Sequence, residues 1–259
     1  MIEVSCPPRN TPSKMPGKRL CVAVEASFQV KSSYLDWRID MMSSRFRRIT
    51  EADREPVLAM LKRAFASDPL IRWIYHEDER YQKKFDRFFY AYTGDCFKHG
   101  SGLTYLDGCG GVVIWHPPEE PCDYENLWAV FRSTATESRK EDVVSVFKEF
   151  AELHPSTPHV YMTFAARDPL LERSTTPLLG ALFKHCDLEG MALCGEATSP
   201  INMQYYEGFG GKILGEVRRG TSPKYYTMLR TPQATRCQLD AAFVEDSPLL
   251  PGSCPKVAT

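Results

Sequence analysis

The chain has 259 residues, 43% of them hydrophobic, with 32 lysines and arginines against 33 aspartates and glutamates. That supplies one domain with a substantial core, and so even a charge balance excludes the broad basic surface that nucleic acid or an anionic membrane requires, leaving a small molecule as the expected partner. Nine cysteines without a C-x-x-C pair argue against a disulfide framework or zinc knuckle, and no apolar run reaches the ~18 residues of a membrane span, so a cytoplasmic protein is expected.

Residues 1–43 carry Pro7, Pro8, Pro12 and Pro16 among basic and small residues, and Glu25 interrupts the apolar stretch from Leu20 to Phe28. A disordered leader or a targeting segment is expected there. Arg45 to Ile49 reads as a strand, and Asp53 to Phe65 as a helix with Val57, Leu58, Leu61 and Phe65 on one face and Pro56 in its first turn. Ser67, Asp68 and Pro69 read as a break. Tyr81, Phe85, Phe88, Phe89 and Tyr92 then recur at helical spacing, and this stripe is read as core.

Gly102 to Leu106 and Gly110 to Trp115 flank a turn of Asp107, Gly108 and Cys109, which predicts a hairpin. Residues 124–150 show two helical patterns divided by the polar stretch Ser133 to Asp142. From His159 to Ala165, His159, Tyr161 and Thr163 alternate with Val160, Met162 and Phe164, the mark of a strand. A helix from Thr176 to Leu188, a strand from Ala192 to Ala197, a short helix from Pro200 to Glu207 and strands Lys212 to Val217 and Tyr225 to Arg230 follow. Proline and serine gather again beyond Thr231, so residues 44–231 are the expected domain and 232–259 a disordered tail. The order of elements predicts an α/β (α+β) sandwich.

Three segments carry a family resemblance: HVYMTFAARDP over residues 159–169, GEATSPIN over 195–202, and N-x-x-x-Y-E over 202–207 leading to Gly210. With them, residues 46–230 resemble the GNAT superfamily of N-acetyltransferases, and within it the branch of puromycin N-acetyltransferase. The resemblance implies a central mixed, mostly antiparallel sheet flanked by helices. It also implies acetyl-CoA as acyl donor, a small-molecule acceptor amine, direct transfer and no metal. One segment departs from the family: its pyrophosphate loop reads Arg/Gln-x-x-Gly-x-Gly/Ala, whereas residues 172–177 read ERSTTP, with neither glycine.

Acetyl transfer from a thioester needs a pyrophosphate cradle, donors for the thioester oxygen, a base for the amine and an acid for the thiolate. Amides at the start of the helix from Thr176, with Arg173, Ser174, Thr175 and Thr176, are the candidate cradle. Main-chain amides of Phe164, Ala165, Ala166 and Arg167 are the candidate oxygen donors. Tyr206 stands where the family places its acid, with Tyr205 as a competing occupant. Glu196 at a strand end is the candidate base, beside His116 as a second choice. Asn202 either contacts the donor or caps its helix. Two other readings remain: a catalytically degenerate GNAT-fold binding or accessory protein, and a hydrolase using Cys194 or Cys186 with His185 or His159, which lacks a G-x-S-x-G elbow.

Overall fold

The computed structural model describes residues 45–108 and 110–233. The expected leader, Cys109 of the hairpin turn, and all but the first two residues of the expected tail lie outside the described residues. Strand β1 (Phe46–Arg48) leads through a 3₁₀ turn into α1 (Arg54–Ala64), followed by α2 (Pro69–Ile74), α3 (Asp78–Thr93) and α4 (Cys96–His99). The hairpin β2 (Gly102–Tyr105) and β3 (Gly111–His116) precedes α5 (Tyr124–Thr134) and α6 (Lys140–Leu153). Then come β4 (His159–Arg167), α7 (Thr176–Leu188), β5 (Ala192–Ala197), α8 (Pro200–Glu207), β6 (Lys212–Val217) and β7 (Tyr225–Arg230).

Ser67 to Pro69 do break the helical pattern, between α1 and α2, but the new helix that starts at Pro69 was not anticipated. The Asp68 carboxylate accepts from the amides of Leu70 and Ile71, and Pro69 occupies the first helical turn, where a missing N–H costs nothing. The pair therefore starts α2 rather than ending order. Short α4 was not anticipated either, since four residues are too few to show a period.

Among the described residues seven strands form one mixed sheet in the order β1-β2-β3-β4-β5-β7-β6. Only β4 and β5 pair in parallel, as a strand–helix–strand crossover through α7 requires. The β3–β4 register slips at one place: Ile114 faces Phe164 and Trp115 faces Met162, leaving Thr163 as an extra residue. This bulge resets the alternation, so Tyr161, Phe164 and Ala166 share one face of the sheet and join one core cluster. Strict alternation would have put Phe164 with Met162 on the other.

That face is covered by α1, α2, α3, α5 and α6, and aromatics of α3, α5 and α6 converge on Phe88. The α3 stripe is core, as its spacing predicts: Tyr81, Phe85, Phe88, Phe89 and Tyr92 are all buried. Helices α7 and α8 cover the opposite face, over Met162, Leu193 and Met228.

An ion pair secures the entry to α1. Asp53 accepts two bonds from Arg47, at 2.6 and 2.7 Å, and one from the Thr50 amide at 2.8 Å. The Arg47 hydrogen bonds, aided by Thr50, hold the Asp53 carboxyl down at about 2. A folded-state pKa below the unfolded one gives stabilisation that is complete above pH ~4 and lost as pH falls toward 2. Arg47 is one-third exposed, which screens the pair. Urea unfolding at pH 7 is therefore expected to show Asp53→Asn less stable by about 1–2 kcal/mol, with the gap closing in acid. A gap independent of pH would assign the loss to something other than the charge.

Candidate active site

Pairing between β4 and β5 runs from His159↔Ala192 to Met162↔Gly195 and then stops. Beyond that point Phe164 to Arg167 stay on β3, and Glu196 and Ala197 stay on β7. The two parallel strands part into a wedge whose apex lies at the Thr163 bulge, and β4 presents a main-chain edge there with no strand partner among the described residues. Thr163 is tied back to β3 by its hydroxyl, which donates to the Ile114 carbonyl at 3.3 Å. The candidate oxygen donors Phe164, Ala165, Ala166 and Arg167 thus line one arm of the wedge.

At the far end of β4 the chain turns into α7. Asp168 accepts from Arg63 and from the Leu170 amide, which fixes the turn. Arg173 is committed to the hairpin: it bonds Asp107 at 2.7 and 3.3 Å and lies 4.7 Å over the Tyr105 ring. Its charge is therefore already neutralised. The Ser174 hydroxyl accepts from the Thr176 amide at 3.1 Å and donates to the Thr176 hydroxyl at 2.9 Å. Three amides at the helix start, those of Ser174, Thr175 and Leu178, make no hydrogen bond among the described residues. Unpaired N–H groups at the positive end of a 13-residue helix fit an anionic diphosphate, although both glycines are absent.

On the α7 and α8 face, Ser199 and not Asn202 caps α8, accepting from the Asn202 amide at 3.2 Å. The Asn202 side chain donates to Thr198 at 3.3 Å, and Thr198 in turn donates to Asp68 at 2.7 Å. The two tyrosines of α8 separate. Tyr205 reaches the Thr176 hydroxyl at 2.7 Å, spanning from α8 to the start of α7. Tyr206 turns to the wedge apex and lines a small apolar cavity with Met162 and Gly195, the last β4–β5 pair. Its hydroxyl makes no hydrogen bond among the described residues, and burial raises the phenol above its ordinary range, so it stays protonated.

Glu196, the first residue of β5 beyond the apex, points to the other face. Its carboxylate accepts from His154 Nε2 and from the Tyr161 hydroxyl, each at 2.9 Å. The Tyr92 hydroxyl stands 2.5 Å behind that of Tyr161. Burial, and then the Glu196 charge, push both phenols well up, so the chain Tyr92, Tyr161, Glu196 is a fixed row of donors ending on a carboxylate. The side chains of Glu196 and His154 are both largely buried, at 6% and 8% exposed. Of the pair it is His154 that, with Tyr124 and Tyr161, lines a cleft of about 600 Å³ between the end of β3 and the loop before β4. With Nε2–H given to Glu196, Nδ1 is left as the basic nitrogen, 3.5 Å from the Tyr124 hydroxyl.

His116 is a strut. Nε2 lies 2.9 Å from the Tyr92 carbonyl and Nδ1 3.1 Å from that of Glu120, so both ring nitrogens are directed at main-chain carbonyls, and burial lowers its pKa. The thiols of the hydrolase reading are unsuited to attack: burial pushes Cys186 up to about 12 and raises Cys194 as well, the reverse of an activated nucleophile. Sequence reasoning missed His154, Tyr161 and Tyr124. They come from a helix end, a strand and a second helix start, and no local spacing marks them as a set.

No protein-family model and no curated protein matches the sequence. Solved structures do match. A histone acetyltransferase HPA2-related acetyltransferase from Corynebacterium glutamicum superposes with a TM-score of 0.50 at 22% identity, covering 75% of this chain and 99% of that one. Arylalkylamine N-acetyltransferase 2 from Aedes aegypti gives 0.52 at 12% identity over 73% and 99% of the two chains. The polyamine N-acetyltransferase of Drosophila melanogaster, which forms N-acetylagmatine, gives 0.50 at 12% over 72% and 98%. The fold is that of the GNAT acetyltransferases.

Proposed function

We propose that this chain, carrying the GNAT acetyltransferase fold, moves an acetyl group from acetyl-CoA to the amine of a small molecule by direct transfer. One observation carries the reading: the parallel strands part at the Thr163 bulge, with Tyr206 on one face of the apex and the Glu196–His154 pair on the other. Acid and base thus flank a single point from opposite sides, as a transfer between two ligands requires.

Acetyl-CoA supplies a thioester whose carbonyl carbon is the electrophile and whose sulfur is the leaving group. In this reading the amides of Ser174, Thr175 and Leu178 hold its diphosphate, with the hydroxyls of Ser174, Thr175 and Thr176 beside them. Arg173 serves indirectly, by pinning the loop to Asp107. Amides along Phe164 to Arg167 donate to the thioester oxygen, a role independent of side chains. Asn202, at the exposed start of α8, is the candidate contact to the donor's amide groups. His154, oriented by Glu196, takes a proton from the acceptor amine, and Tyr206 returns one to the sulfur. The base is then the pair, with Glu196 acting through the imidazole.

An amine acceptor is supported by the arylalkylamine and polyamine enzymes that share the fold. A cleft of about 600 Å³ suits a small molecule. Residues 159–169 and 195–202 support the puromycin-type branch, and the reading places the protein in the cytoplasm. Among the described residues no helix is long and apolar enough to cross a membrane.

Calorimetric titration of the full chain with acetyl-CoA and with desulfo-CoA tests the reading. Micromolar binding of both, followed by acetylation of at least one member of an amine panel, is the expected result. No heat and no thermal shift at millimolar ligand would overturn it and leave a non-catalytic descendant of the fold.

A further inference from the structure

A group of side chains that the transferase reading leaves partly unused lies at the floor of the cleft. His154 follows α6, His159 opens β4, and Cys194 lies in mid-β5, so their spacing in sequence shows no ligand pattern. In space, one ligand atom from each lies within 4.8 Å of the other two. The rings of His154 and His159 stand edge to face, with centroids 5.3 Å apart.

Hydrogen bonds outside the group settle which nitrogens are available. His159 Nδ1 lies 2.9 Å from the Thr157 carbonyl, so it carries the proton and leaves Nε2 as the lone pair. His154 gives Nε2–H to Glu196 at 2.9 Å, leaving Nδ1. Each imidazole thus has its outer N–H fixed on a carbonyl or carboxylate, the arrangement that orients metal-binding histidines and raises their basicity. Cys194, on β5, is fully buried.

We propose that His154 Nδ1, His159 Nε2 and Cys194 Sγ form a binding site for a divalent transition metal, with zinc the ion that best suits two imidazoles and one thiolate. Tetrahedral zinc with bonds of about 2.0–2.3 Å sets its ligand atoms roughly 3.3–3.7 Å apart, so side-chain rotation must draw together a group that already lies within 4.8 Å. Binding releases the Cys194 proton to solvent, and the thiolate together with the Glu196 carboxylate balances the ion's two charges. His154 and His159 both line the cleft, so the fourth position opens there to water or to a small ligand. The ion would occupy the same Nδ1 lone pair that the transferase reading uses as base. Metal binding and acetyl transfer are then mutually exclusive, and zinc is an inhibitor of that reaction.

Cobalt(II) titrated into the metal-free, reduced full chain, without acyl donor, tests this independently of any activity. The expected result is one equivalent bound with a thiolate-to-cobalt charge-transfer band and visible bands of tetrahedral intensity, both bleached by zinc. Cys194→Ala should lose the charge-transfer band. His159→Ala, at a half-buried position, should weaken binding by at least about tenfold while keeping the far-ultraviolet circular dichroism of the parent. Cys186→Ala, a buried cysteine on α7, should change neither. Absence of the thiolate band, or a band that survives both the Cys194 and the His159 substitutions, overturns the proposal.

Discussion

Tyr206→Phe should lower kcat by about 10²–10³-fold while leaving the affinity for acetyl-CoA and the melting temperature nearly unchanged. The split follows from what the hydroxyl touches. Because it makes no hydrogen bond among the described residues, removing it unpairs nothing in the fold, and the ring that packs against Met162 and Gly195 is retained. All of the loss should then fall on protonation of the departing sulfur, which a residue that only packs would not affect. At 1.36 kcal/mol per tenfold, the change corresponds to roughly 2.7–4 kcal/mol of barrier. Steady-state kinetics with a responsive amine, together with a thermal melt of each protein, decide it. A kcat within threefold of the parent would remove Tyr206 from the chemistry.

A second large effect concerns the core. Phe88 is 1% exposed. Its ring stacks on Tyr92 and Phe131 at 5.1 and 5.5 Å and meets Phe164 edge-on at 5.9 Å. It therefore joins α3, α5 and β4, the three elements that hold the sheet face under the cleft. Phe88→Ala should cost about 3–5 kcal/mol, from lost burial plus the cavity left in a layer of rings that cannot collapse. Chemical unfolding measures this directly, and a loss below about 1.5 kcal/mol would mean that the surrounding aromatics repack.

Most of the scaffold was legible because burial leaves a period in the sequence. The bounds of α7, β5, α8, β6 and β7 coincide with those read from the sequence. Asp68-Pro69 marked the break after α1, but the same two residues also begin α2, which only the partners of the Asp68 carboxylate reveal. Motif placement pointed to Glu196 and to Tyr206 with Tyr205 as competitor; the rotation of α8 turns Tyr206 toward Met162 and Gly195 and Tyr205 toward the start of α7. His154 lay beyond reach altogether. It becomes part of a site only because α6 ends beside β5, a tertiary fact with no local signature.

The extra residue in β4 has an unusual relation to the rest of the strand. Tyr161 and Phe164 already share a face with Thr163 between them, and Met162 pairs with Trp115 across the same break. Excising Thr163 would therefore join two stretches that are already in phase. Every apolar side chain would keep its side of the sheet, while the irregularity at the apex would be erased. In a lineage of such chains, a one-codon deletion at this place could disable the site and leave folding untouched, so the ancestry of the fold and the persistence of its activity need not travel together.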